Sequence, residues 1–192
     1  PKEWSCTGFI KQDATWKDAP IGNARGTLEG NLVAGKDGEV YNILRYQHDA
    51  CEPKYGKAVM LHIDQEHPDA LPKFERFLDF PGNLTKFAIY YDERTDCYYS
   101  LVNRVTGGNM SQRNILSLMY SENLLDWHLK RDILNYEDRN FPEDSTKVGF
   151  QYVDFVFDGE DIVFAGRIAL NNAYNFHNAN HLTVQRIRNY AL

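Results

Sequence analysis

Leu28-Glu29-Gly30-Asn31-Leu32-Val33, then Lys36-Asp37-Gly38, then Val40-Tyr41-Asn42-Ile43-Leu44-Arg45 is the stretch that decides the fold. Two β-rich runs of strand length flank an Asp-Gly pair, the commonest signature of a tight hairpin. The same arrangement returns twice. Lys86 to Tyr91 and Cys97 to Arg104 flank a turn through Asp92 to Asp96, and Gln151 to Phe157 and Asp161 to Arg167 flank Asp158-Gly159-Glu160. Each returning strand ends in an arginine.

Further strand candidates lie between the hairpins: Ala58 to Asp64, Ile115 to Ser121, Trp127 to Leu134 and Leu182 to Ile187, with Trp4 to Lys11 as an opening strand. Each unit therefore reads as a three- or four-stranded meander. Successive turns at Asp37, Asp92 and Asp158 stand 55 and 66 residues apart, above the roughly 40 to 50 of typical propeller blades. Polar segments at 47–57, 65–73, 106–112 and 137–146 supply the excess as loops. The expected fold is an all-β propeller formed by one domain over residues 1–192, with three to four blades in this chain. Propellers close with at least about four blades, so the chain is expected to be the C-terminal part of a longer propeller whose N-terminal half is missing. An open β-sandwich is the competing architecture.

Composition agrees with a globular all-β chain. Of 192 residues 43% are hydrophobic and 14% aromatic, with twelve Tyr and eleven Phe, side chains that pack well on pleated sheets. A formal net charge of −6 opposes the phosphate backbone, so no nucleic-acid partner is expected. No apolar run approaches the roughly 18 to 20 residues of a membrane span. The chain begins at Pro1 without a Met or a signal peptide, as a processed product or a piece of a longer chain would; this end leaves the compartment unread, and a secreted or periplasmic location is favoured. Cys6, Cys51 and Cys97 lack metal or disulfide spacing and read as structural thiols. No cofactor is expected.

Propeller geometry converts the strand pattern into a shared rim, where first strands start, second strands end and third strands start. It collects Glu29 and Tyr152, then Arg45, Arg104 and Arg167, then Arg113 with Asn114, and His177 with Asn178 and Asn180. Singly, a strand-end arginine is usually a surface ion pair of little worth and a strand tyrosine a packing residue. Glu29 alternates with apolar neighbours, and a carboxylate shielded there needs a partner. His177 and His181 have helical spacing in an Asn-rich loop with no acidic ligand beside them, and no metal is assigned.

At these residues the sequence resembles the sialidase superfamily. Glu29-Gly30-Asn31-Leu32-Val33 through Arg45 is similar to that family's segment with the Glu and second Arg. Ser111-Gln112-Arg113-Asn114-Ile115-Leu116 resembles the segment with the third Arg, and Gly149-Phe150-Gln151-Tyr152-Val153-Asp154 the one with the nucleophilic Tyr. Order and spacing agree over residues 28 to 169. Ser121-Glu122-Asn123-Leu124-Leu125-Asp126-Trp127 is similar to the family's Asp-box turn, one residue short and without its Gly. The resemblance implies a six-bladed propeller when complete. It also implies a first Arg and an acid/base Asp upstream of Glu29; residues 1–27 contain no convincing match.

The resemblance further implies a glycoside hydrolase that removes terminal acidic sugars with retention of configuration. Guanidinium forks suit the carboxylate of such a sugar, which assigns Arg45 and Arg113 to substrate binding. A neutral Tyr152 deprotonated by Glu29 would attack the anomeric carbon without the repulsion that a carboxylate nucleophile would suffer. Arg104 or Arg167 could stand in for Arg113, and His177 with Asn178 could reach the sugar. Two other readings stay open: a propeller acting on uronic-acid or plant polysaccharides through His, Tyr and Arg, and a non-catalytic carbohydrate-binding propeller.

Overall fold

The computed structural model describes residues 6–107, 109–137 and 145–192. Among them are thirteen strands: β1 (Ile21–Gly22), β2 (Gly26–Ala34), β3 (Val40–Gln47), β4 (Cys51–Glu52), β5 (Lys57–Ile63), β6 (Lys73–Asp79), β7 (Ala88–Asp92), β8 (Cys97–Asn103), β9 (Ile115–Ser121), β10 (His128–Asn135), β11 (Gly149–Asp158), β12 (Asp161–Ala169) and β13 (His181–Ile187). Antiparallel pairing sorts them into sheets of order β2-β3-β5-β6, β7-β8-β9-β10 and β11-β12-β13, with β1 and β4 as a short ribbon. The fold is all-β, in consecutive meanders that each begin with an inner strand. Those inner strands meet, because β7 touches β2 on one side and β11 on the other.

Two cores explain the order. Val33, Ile43, Met60 and Phe80 of the first unit pack on Phe87, Tyr98, Val102 and Trp127 of the second. The opposite face of the second sheet, with Tyr99, Leu101 and Leu118, packs on Val153, Phe155 and Phe164 of the third. The middle sheet is thus buried on both faces, and Tyr98 through Asn103 are almost wholly hidden. A sheet covered on one face alternates instead: along β11 Val153 and Phe155 point inward while Tyr152 and Val156 are exposed.

The strand candidates at 28–33, 40–45, 58–64, 86–91, 97–104, 115–121, 127–134, 151–157, 161–167 and 182–187 all fall on strands, with ends shifted by a few residues. Residues 6–11 of the expected opening strand are not a strand, and its Trp4 end lies outside the described residues. Ile10 and Trp16 instead cover the outer face of the first sheet, Trp16 stacking on Phe74 at 4.3 Å. The sequence reading also missed β1, β4, which falls within the 47–57 segment read as a loop, and β6. The pairing of β6 with β5 steps from Met60↔Arg76 to Leu61↔Phe74, so one residue is extra and Phe74 and Phe77 reach the same cluster. That bulge gives the apolar residues a spacing of three, which hides the strand period.

The turns are built as their residues require. Gly38 and Gly159 take φ values of 85° and 61°. In the Asp-box-like turn Asn123 Oδ1 accepts bonds from the Leu125 and Asp126 amides. Leu124, at φ 68°, stands in the left-handed conformation that favours glycine, and Trp127 Nε1 donates to its carbonyl at 3.0 Å. Of the cysteines, Cys51 is buried, Cys97 half-buried and Cys6 exposed, all as free thiols; the expectation of a packed structural thiol fits Cys51 best.

Candidate active site

The inner strands carry two β-bulges at the same place in their hairpins. Between β2 and β3 the register steps from Thr27↔Tyr46 to Gly30↔Leu44, so Leu28 and Glu29 face the single Arg45. Between β11 and β12 it steps from Gln151↔Arg167 to Asp154↔Ala165, so Tyr152 and Val153 face Gly166. Bulges re-aim side chains and concentrate near functional sites. Tyr152 is also held at φ 51°, an uncommon conformation for a bulky residue and a marker of a position over-determined by its surroundings.

Between these bulges lies a small cleft of about 60 Å³. Arg45, Arg113, Tyr152 and His177, which the sequence reading assigned to a common rim, all line it, together with Lys86, Thr85, Gln151 and Phe176. Arg45 donates from Nη1 to Glu29 at 3.2 Å and from Nη2 to Gln47 Oε1 at 3.0 Å, while its buried Nε has no partner. Glu29 thus has the partner that a strand carboxylate needs, yet its side chain remains 39% exposed; the bulge turns it outward instead of shielding it.

Arg113 is the unusual member. It is 8% exposed, and among the described residues its guanidinium donates only to main-chain oxygens, Nη1 to Gln112 at 2.7 Å and Nη2 to Leu84 at 3.2 Å. Phe176 covers it at 5.5 Å. Burial pulls its pKa down to about 10, with the neighbouring Arg45 charge acting in the same direction and Tyr152 against it. At neutral pH the group is a desolvated cation with no carboxylate partner among the described residues, an arrangement that costs free energy.

The backbone holds Arg113 rigidly. Asn103, 2% exposed, donates from Nδ2 to the carbonyls of Arg113, Ile115 and Phe150, riveting the second sheet to the third beneath the cleft. The Phe150 amide returns a bond to the Arg113 carbonyl at 3.0 Å. Gly149 allows this approach, since a Cβ there would stand 2.7 Å from the Phe176 carbonyl oxygen and 3.2 Å from Arg113 Cβ. The loop after β12 is shaped by Asn175, whose Oδ1 accepts from the His177 and Asn178 amides. Gln151 Nε2 anchors the same loop by donating to the Phe176 carbonyl.

Three of the sequence assignments acquire different places. Arg104 is not in the cleft. Its Nη2 grips Asp132 at 2.9 and 3.0 Å and its Nε reaches Ser117, so its charge is spent within the middle sheet. Arg167 lies over the Tyr152 ring at 5.2 Å and donates to the His177 carbonyl at 3.2 Å; it buttresses the cleft wall from outside. Asn178 is exposed and enters through its amide in the Asn175 turn. The Tyr152 ring meets His177 edge-on at 6.5 Å, and among the described residues its hydroxyl makes no hydrogen bond to Glu29.

Lys86, Thr85, Gln151 and Phe176 were not singled out from sequence. Lys86 had a usable signal, because it begins the second hairpin as Glu29 and Tyr152 begin the others. Gln151 and Phe176 had none, since their positions depend on a loop contact from 25 residues away.

No protein-family model matches the chain, and no curated protein matches it by sequence. Solved structures do resemble it. The α-L-arabinofuranosidase Arb93A from Fusarium graminearum, solved with an iminosugar inhibitor, aligns with a TM-score of 0.59 at 11% identity, covering 99% of this chain and 51% of that one. A GH43 β-1,3-galactosidase aligns at 0.51 and 15% identity, covering 84% of this chain and 31% of that one. The chain therefore spans about half of the first and a third of the second. At such identities the likeness is one of fold, in support of a propeller-type assembly of antiparallel sheets.

Proposed function

We propose that this chain is part of a sialidase-type propeller, six-bladed when complete, that acts as a glycoside hydrolase on terminal acidic sugars. The observation that carries the reading is Arg113: a buried guanidinium beside Arg45, with no acidic partner among the described residues, in a cleft on the rim where the hairpins meet. Such a pair suits a carboxylate, which can accept from both forks in charge-assisted bonds. That both fold neighbours named above are glycosidases supports a glycan as the ligand.

In the reaction the sugar carboxylate sits on Arg113 and Arg45, and Tyr152 Oη attacks the anomeric carbon. The bond to the leaving oxygen breaks as the bond to Tyr152 forms, and water later displaces the tyrosine with net retention. A carboxylate arriving at Arg45 competes with Glu29 for the guanidinium, which frees Glu29 to take the Tyr152 proton. Uronic acids present the same carboxylate and belong to the same class of ligand.

One observation favours a second reading, a non-catalytic acidic-sugar receptor. Among the described residues the cleft lining contains no carboxylate, so a proton donor for the leaving group must come from elsewhere. Aryl glycosides of sialic acid, glucuronic acid, galactose and arabinose, tested with the full-length protein that carries this chain and with its Tyr152→Phe variant, separate the two. Hydrolysis of an acidic glycoside that falls sharply in Tyr152→Phe supports the enzyme. Binding of the free acid without hydrolysis supports the receptor. Preference for neutral glycosides would overturn both.

A further inference from the structure

The cleft contains a third cation that the resemblance does not assign. Lys86 lines the cleft with Arg45 and Arg113, and its Nζ makes its hydrogen bond to the Val153 carbonyl at 3.3 Å. It lies at the entry to β7, the inner strand that touches both β2 and β11, between the Arg45 hairpin and the Tyr152 hairpin. Among the described residues no carboxylate lies within ion-pair distance of Lys86 or Arg113, while Glu29 offsets the charge of Arg45. Two positive charges therefore remain without a counter-charge in this cleft, in a chain whose net charge is −6.

Size narrows what can answer them. At about 60 Å³ the cleft is far below the roughly 300 Å³ at which sites for whole small molecules begin. It admits a charged substituent and leaves the ring at the mouth, where Tyr152 and His177 stand. We infer that Lys86 is a specificity-determining residue: it and Arg113 clamp the sugar's anionic group from two sides, and Lys86 makes the cleft select by charge. An ammonium is a compact point charge that tolerates many approach angles, whereas the Arg113 fork, fixed by two carbonyls and Phe176, sets orientation. This assignment rests on the acidic-sugar reading and adds to it.

The test measures binding of N-acetylneuraminate, glucuronate and galactose by calorimetry to the full-length protein and its Lys86→Gln and Lys86→Arg variants, each at low and high salt. The expected result is at least tenfold weaker binding of both acids to Lys86→Gln, a flatter salt dependence, and recovery to within about threefold in Lys86→Arg. Galactose binding should not distinguish the three proteins. Near-equal acid binding by the chain and Lys86→Gln overturns the role of Lys86 and leaves the acidic-sugar reading standing. Absence of acid binding by the unsubstituted chain overturns that reading and this inference together. Equal unfolding midpoints confirm that Lys86→Gln keeps the Val153 contact region folded; a weakened acid affinity that Lys86→Arg fails to restore counts against a charge role.

Discussion

The middle sheet half-buries one arginine and the cleft beside it buries another, and they treat the charge in opposite ways. Arg104 shares Asp132 with Ser117 and Asn135, so every charge there meets a partner. Burial tends to raise the Asp132 pKa, but the Ser117 and Arg104 bonds outweigh it and hold the carboxyl below its ordinary range. Arg113 is more deeply buried, and it has carbonyl oxygens, an aromatic ring and another cation around it. The first arrangement is closed and structural. The second has no counter-charge among the described residues, and the proposed binding site rests on that difference.

The contrast can be broken by removing each charge and reading stability, from the largest expected change to the smallest. Arg104→Met should destabilise the fold by roughly 2 kcal/mol, because it strands the half-buried Asp132; a shift in urea midpoint measures it, and Arg104→Met with Asp132→Leu should recover most of the loss. Gly149→Ala should cost about 1 to 3 kcal/mol, since the new methyl meets the Phe176 carbonyl, and it should weaken acidic-sugar binding by displacing Arg113. Arg113→Met should move stability by less than about 1 kcal/mol, relief of a desolvated charge offsetting the lost carbonyl bonds. A loss for Arg113→Met as large as that for Arg104→Met would erase the distinction.

His48 sharpens the comparison as a third way to bury a basic group. It is fully buried, its Nδ1 donates to the Pro53 carbonyl at 2.8 Å, and its Nε2 accepts from the Lys57 amide, a pattern that needs the neutral ring. Burial lowers its pKa from 6.5, with the Pro53 carbonyl acting against it. The unfolded chain then takes up the proton first as pH falls, so stability is full above about pH 6.5 and declines as pH drops below it. Urea midpoints between pH 8 and 5 should show this small decline, and His48→Gln should flatten it.

These pairings were not legible in the sequence. Arg45, Arg104 and Arg167 occupy matching strand ends and look equivalent there. Asp132 lies 28 residues beyond Arg104, on a strand whose register is itself irregular, and nothing local announces that it will claim one arginine and leave another free. The strands themselves were legible wherever alternation or a continuous apolar run was intact. They failed to show at β6, where a bulge changed the spacing, and the Tyr152 and Glu29 bulges escaped notice for the same reason.

The amino-acid sequence by itself determined the meanders, their Asp and Gly turns, and the rim on which Arg45, Arg113, Tyr152 and His177 converge. It could do so because side-chain alternation and turn conformation are properties of neighbouring residues. Only the tertiary structure decided which charges are cancelled, which keep no counter-charge among the described residues, and that Lys86 and Phe176 join them. Counter-charge and burial depend on residues brought together from distant strands, and neither leaves a mark on the local pattern.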